Sequence, residues 1–101
     1  MPAAYLIVES HITDMERFKA YAAEAPLAVA AAGGVYLARG GRHESLEGNW
    51  QPHRMTVLRF PSYEAAKAFY DSEQYRSARA KRAGTTDYFN MILVEGVAAP
   101  V

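Results

Sequence analysis

The strands that open and close this 101-residue sequence are apolar on both of their faces, which sets how many surfaces the chain must cover. In residues 4–10, Tyr5 and Ile7 point one way and Leu6 and Val8 the other. In residues 88–95, Tyr88, Ile92 and Val94 oppose Phe89, Met91 and Leu93. An antiparallel sheet with one wet face alternates apolar with polar residues, so each face of this one calls for a cover. Helices from the same chain can supply one layer, and a second copy of the sheet is the economical source of the other. The expectation is a homodimer through the sheet face, broken by a charge at Val8 or Leu93, whichever meets the partner.

Between those strands the local signals alternate. Thr13 followed by Glu16 has the spacing of a capping box, and Met15, Phe18, Ala22 and Ala25 then recur at helical intervals. Pro26 predicts a break, with a second helix running to the Gly33-Gly34 stop. Val35–Arg39 and Arg54–Phe60 are strand signals, joined by a long loop rich in Gly, Asn and Pro. Ser62 caps a helix carrying Ala66, Phe69 and Tyr70, and Ser72 caps another through about Ala83, where Gly84 stops it. Tyr88–Glu95 is the last strand. The order βαββαβ, with a right-handed crossover, gives a ferredoxin-like α+β sandwich with strand order 4-1-3-2. Residues 1–101 form one domain, with 97–101 a loose tail.

Composition narrows the function classes. Eleven basic residues balance eleven acidic ones, so no global field favours nucleic acid or an anionic membrane. The chain has no cysteine, which excludes a disulfide framework, a thiolate zinc site and a cysteine nucleophile. With no histidine pair at ligand spacing either, neither metal nor cofactor is expected. No segment has the length of a membrane span or the pattern of a signal peptide, so a cytoplasmic location is the default.

Several ordered motifs carry a resemblance: Tyr36-Leu37-Ala38-Arg39-Gly40-Gly41, Leu46-Glu47-Gly48-Asn49-Trp50, Arg54, Phe60-Pro61-Ser62-Tyr63-Glu64-Ala65-Ala66, Tyr70-Asp71-Ser72-Glu73-Gln74-Tyr75 and Val94-Glu95-Gly96. From about Tyr5 to Val97 the chain resembles the domain of unknown function 1330 family, within the dimeric α+β barrel superfamily. The resemblance implies a ferredoxin-like protomer and a homodimer with two sheets face to face. Arg39, Gly40, Gly41, Glu47, Gly48, Arg54, Tyr70, Ser72, Tyr75 and Arg82 match the family's motif, and Asp71 departs from it. No activity carries over. The wider superfamily spans cofactor-independent monooxygenases, isomerases, dehalogenases, haem-binding members and stress-response barrels, so fold does not fix function.

Candidate site residues follow from chemistry. Arg39 and Arg54 can each hold a carboxylate in a bidentate pair, or form structural ion pairs, Arg39 with Glu47 for example. Tyr75, Arg79 and Arg82 share one face of the last helix, where basic residues also complement the helix dipole. His43 and His53 flank the long loop and are general-base candidates, with Glu47 the carboxylate candidate. Trp50 should cover something, either a pocket or the partner chain. The resulting expectation is a cavity that binds a small, partly apolar anion through Arg39, Arg54, Tyr75, Arg82 and Trp50. A cofactor-independent enzyme using His43, His53 or Glu47 is the alternative, and a dimeric structural or stress module without catalysis is the third class.

Overall fold

Strand β1 (Ala4–Ile12) is the axis of the fold. It pairs antiparallel with β3 (Arg54–Phe60) on one side and with β4 (Thr86–Glu95) on the other. Strand β2 (Val35–Arg39) extends the sheet beyond β3, giving the order β2-β3-β1-β4. This is the expected 4-1-3-2 order seen from the other edge, and the fold is a ferredoxin-like α+β sandwich. The computed structural model describes residues 2–98. Of the tail expected at 97–101, Val97 is exposed and residues 99–101 lie outside the described residues. Among the described residues no helix is long and apolar enough to cross a membrane.

Helix α1 (Met15–Ala31) differs from expectation at both its start and its middle. Its N-cap is Asp14, whose carboxylate accepts from the Arg17 amide at 3.1 Å. Thr13 instead donates its hydroxyl to the Thr85 carbonyl at 3.2 Å, a long-range tie that outcompetes the local cap. The helix also runs unbroken through Pro26. Proline removes the amide that would bond the carbonyl of Ala22, and an orphaned helix carbonyl is what usually ends a helix there. Here Arg39 Nη2 donates to that carbonyl at 3.1 Å, so a side chain from β2 replaces the missing amide.

Helices α2 (Tyr63–Asp71) and α3 (Glu73–Ala80) meet at Ser72. Its hydroxyl donates to the Phe69 carbonyl at 2.7 Å and accepts from the Tyr75 amide at 3.1 Å, ending one helix and opening the next. Ser62 caps α2 as expected, accepting from the Ala65 amide at 3.0 Å. α3 stops at Ala80, earlier than the expected Ala83, and turns through Gly84, whose φ of 77° suits glycine alone.

All three helices lie on one face of the sheet. Ala4, Leu6 and Val8 of β1, with Leu58 and Phe60 of β3, are buried against Ala25, Ala28, Val29, Ala66, Phe69 and Tyr75. Val8 and Leu93 belong to this covered side: Val8 is 5% exposed, and Leu93 packs on the core. Neither can therefore be the partner-facing residue considered above. The opposite face presents the alternate residues, with Val57, Ile7 and Ile92 in one cross-strand row and Val35, Arg59, Tyr5 and Val94 in the next. Ile92 is 63% exposed there.

Candidate functional site

A cavity of about 50 Å³ lies between the sheet and the helices. Leu6, Val8 and Ser10 of β1 and Arg54 and Thr56 of β3 line it from the sheet, because alternate residues of each strand turn to the helices. Phe18, Tyr21 and Ala25 of α1 and Tyr75 of α3 close it from above. The walls are mainly apolar, and the volume holds roughly three to five waters or a ligand fragment of similar size.

Three polar features converge on this space. The Tyr21 and Tyr75 hydroxyls are 2.8 Å apart, and Tyr75 is only 1% exposed. Burial pushes the Tyr21 phenol far above its usual range, and the neighbouring Tyr75 adds to the effect. Tyr21 therefore stays a neutral donor or acceptor through the physiological range and is unsuited to act as a phenolate base. Arg54 is the second feature. It has no carboxylate within ion-pairing distance among the described residues, and its guanidinium lies against Gly40, where a Cβ would collide with it. Gly40, at φ 67°, thus provides both the turn after β2 and the clearance for Arg54. Arg39 is the third. It also borders the cavity, but its donor is committed to the Ala22 carbonyl and its plane rests 4.6 Å from the Tyr36 ring centre. The ion pair considered with Glu47 does not form.

Arg82 sits outside this cavity. It lies in the turn after α3, over the Phe89 ring at 3.7 Å and the Tyr21 ring at 5.1 Å, and it lines a separate groove beside β4. Arg79 stacks on Tyr70 at 4.4 Å and reaches Tyr75 at 5.5 Å. The aromatic faces stabilise both cations.

The remaining candidates gather on the other side of the sheet or in the loop. His53 immediately precedes Arg54 and stacks on His11, ring centres 3.9 Å apart, while Asp87 holds His11 at 3.0 Å. His53 Nδ1 also meets the Tyr88 hydroxyl at 2.9 Å. Trp50 donates to the Glu9 carboxylate at 2.8 Å and Asn90 to the same group at 3.3 Å, so the indole lies at the open face and not at the cavity. Glu47 is exposed in the loop, where its carbonyl accepts from the Ser45 hydroxyl at 3.3 Å. His43 bridges that loop with both ring nitrogens, Nε2 to the Pro52 carbonyl at 2.8 Å and Nδ1 to the Gly41 carbonyl at 3.2 Å. Two carbonyl acceptors favour the doubly protonated ring, and its pKa is raised accordingly. In this arrangement His43 has no free lone pair with which to take a substrate proton.

The fold therefore brings Arg39, Arg54 and Tyr75 together and leaves His43, His53, Glu47 and Trp50 apart from them. Two cavity residues were not singled out from the sequence. Ser10 continues the Leu6 and Val8 alternation as a polar residue on a buried face, and Tyr21 lies one helical turn beyond Phe18. Both are visible once the strand and helix periods are projected.

No curated protein matches the chain significantly. Among solved structures, a protein of unknown function from Rhodopseudomonas palustris superposes with a TM-score of 0.77 at 14% identity, covering 97% of this chain and 85% of its own. A dimeric ferredoxin-like protein of unknown function from Jannaschia sp. CCS1 gives 0.69 at 14% identity, covering 92% and 98%. A protein from Caulobacter crescentus CB15, named provisionally as an antibiotic biosynthesis monooxygenase, gives 0.65 at 13% identity, covering 95% and 91%. At these identities the likeness establishes the fold. Residues 3–97, nearly the whole chain, match the family described as the domain of unknown function DUF1330, and the chain belongs to that family.

Proposed function

We propose that the protein is a homodimer that binds a small, partly apolar anion in the cavity between its sheet and helices. The observation that carries this reading is Arg54, a cation bordering a mainly apolar cavity with no acid paired to it among the described residues, and with the hydroxyl-bearing Tyr21 and Tyr75 lining the same space. A carboxylate would complete the arginine's hydrogen bonding, and the phenols would orient the remainder of the ligand. Arg39 contributes at the margin, held by Ala22. The dimer would form through the open sheet face, where Ile92 and Val94 are exposed and Ile7 and Val57 half-buried, and structural relatives described as dimeric support that assembly.

The name of the Caulobacter relative favours a second reading, a cofactor-independent enzyme. Geometry supports binding better, because the basic candidates lie away from the cavity and its buried tyrosine is held neutral. Calorimetry with short carboxylates from acetate to benzoate tests the proposal. Arg54→Lys should keep the fold yet weaken binding by roughly 1–3 kcal/mol through loss of the bidentate geometry. A lower melting temperature with no change in carboxylate binding would make Arg54 structural and end the proposal.

A further inference from the structure

A second opening, about 470 Å³ in volume, lies between α2 and β4 on the helix side of the sheet. That volume is within the 300–1,000 Å³ range of small-molecule sites. Its floor is apolar, with Leu6, Met91 and Leu93 contributed by two strands, and Ala66 of α2 narrows one wall. Its charged lining is cationic: Arg82 and Lys67 border it beside the neutral Tyr70 and Asn90, and among the described residues no aspartate or glutamate does.

The two cations differ in how they are occupied. Lys67 reaches Asp71 one turn along α2 at 3.5 Å, an exposed pair that water screens and that a ligand can share. Arg82 has no such partner. No carboxylate lies within pairing distance of it among the described residues, and its Nη1 is shielded from water without an acceptor. The Phe89 and Tyr21 rings stabilise the flat faces of the guanidinium, but an aromatic face is a weak substitute for an acceptor in its plane. That nitrogen is covered, but Arg82 as a whole is only half-buried and lines the groove. A cation without a paired acid, beside an apolar trough, selects a ligand with one anionic end and one hydrocarbon end.

From this geometry we infer that the groove is a binding site for an amphiphilic monocarboxylate, with its head on Arg82 and Lys67 and its tail along Leu6, Met91 and Leu93. The groove shares Leu6, Phe89 and Met91 with the central cavity, but its cations are its own: Arg54 borders the cavity, whereas Arg82 and Lys67 border the groove. Variants at these cations therefore distinguish the two readings.

Octanoate is a suitable probe, titrated into the full chain by calorimetry with 1-octanol as the uncharged control. Saturable octanoate binding is expected, with octanol at least about tenfold weaker. Arg82→Gln should weaken octanoate by about tenfold or more, as loss of a charge-assisted hydrogen bond implies. Lys67→Glu, an exposed helical change that leaves the packing intact, should weaken it by roughly three- to tenfold. Arg54→Gln should leave it within about twofold. Absence of saturable binding, equal affinity for octanol, or loss on Arg54→Gln with Arg82→Gln unaffected would each overturn the inference. Should Arg82→Gln fail to fold, Lys67→Glu decides, and unchanged octanoate affinity in that variant overturns it.

Discussion

The two faces of the sheet are built from the same strands and nearly the same residue types, yet they have opposite fates. Along β1, Leu6 and Val8 are 3% and 5% exposed beneath the helices, whereas Tyr5 and Ile7, which alternate with them, stay partly in solvent. The difference is one of cover and not of composition. Hydrophobicity in a strand fixes that a face should be buried but not what buries it, and a chain with one helical layer can satisfy one face only. The helix-covered face holds the cavity and its arginine. The open face holds an apolar end of Ile7, Val57, Ile92 and Val94 and a polar end of Glu9, His11, His53 and Tyr88.

The sharpest way to break this contrast is to excavate the covered face. Phe60, fully buried with its ring centre 5.0 Å from that of the tilted Phe69 ring, should cost about 3–5 kcal/mol as Phe60→Ala. Denaturant melts should then show a chain near the limit of its stability, and a loss below about 1 kcal/mol would mean that the core centre has been misplaced. The open face should respond differently. Ile92→Asp is expected to leave the protomer folded but to weaken the proposed dimer by on the order of 3 kcal/mol, about a hundredfold in dissociation constant. Sedimentation equilibrium reads this directly, and a dimer of unchanged affinity would place the interface elsewhere.

At the margin of the covered face, Arg39→Ala removes the donor that serves the Ala22 carbonyl and should cost about 1 kcal/mol, because the side chain is exposed. The same change in a Pro26→Ala background should cost almost nothing, since the restored amide takes over that carbonyl. A double-mutant cycle with no coupling would show that the helix crosses Pro26 for another reason. The smallest effect belongs to His43. Its folded-state pKa is raised above the ordinary 6.5, so the loop tie is fully present below that value and is lost as pH rises through the folded pKa. Amide exchange over residues 41–53 should therefore quicken with rising pH beyond its intrinsic dependence in the parent, and this excess should vanish in His43→Gln.

Topology was legible in the sequence because its determinants are local. The strand alternations, the serines at 62 and 72 and the glycine at 84 act within a few residues, and each element they predict is present. At the start and the middle of α1, where the helix departs from expectation, a distant group intervenes: Thr85 draws Thr13 out of its capping role, and Arg39 supplies what Pro26 removes. The site was legible in part for the same reason. Arg54 and Tyr75 sit on faces that the strand and helix periods orient toward one space. His53 was within reach of that logic too, because a residue adjacent to Arg54 in an extended chain must point away from it. Trp50 and Glu47 belong to a loop without a period, and only its folded course places them.

The bond between Arg39 and the Ala22 carbonyl also constrains the order of evolutionary change. A proline arriving at position 26 before a donor stood opposite would have exposed an unmet carbonyl in the longest helix of the fold. An arginine arriving first at position 39 would have been harmless and merely spare. The order with the arginine first is thus the less costly one, and once both are in place, losing the arginine before the proline reverts carries the cost of that carbonyl's bond. Relatives that keep proline at this helical position should carry a long cationic donor on the neighbouring strand, and those that lack it should be free to vary there.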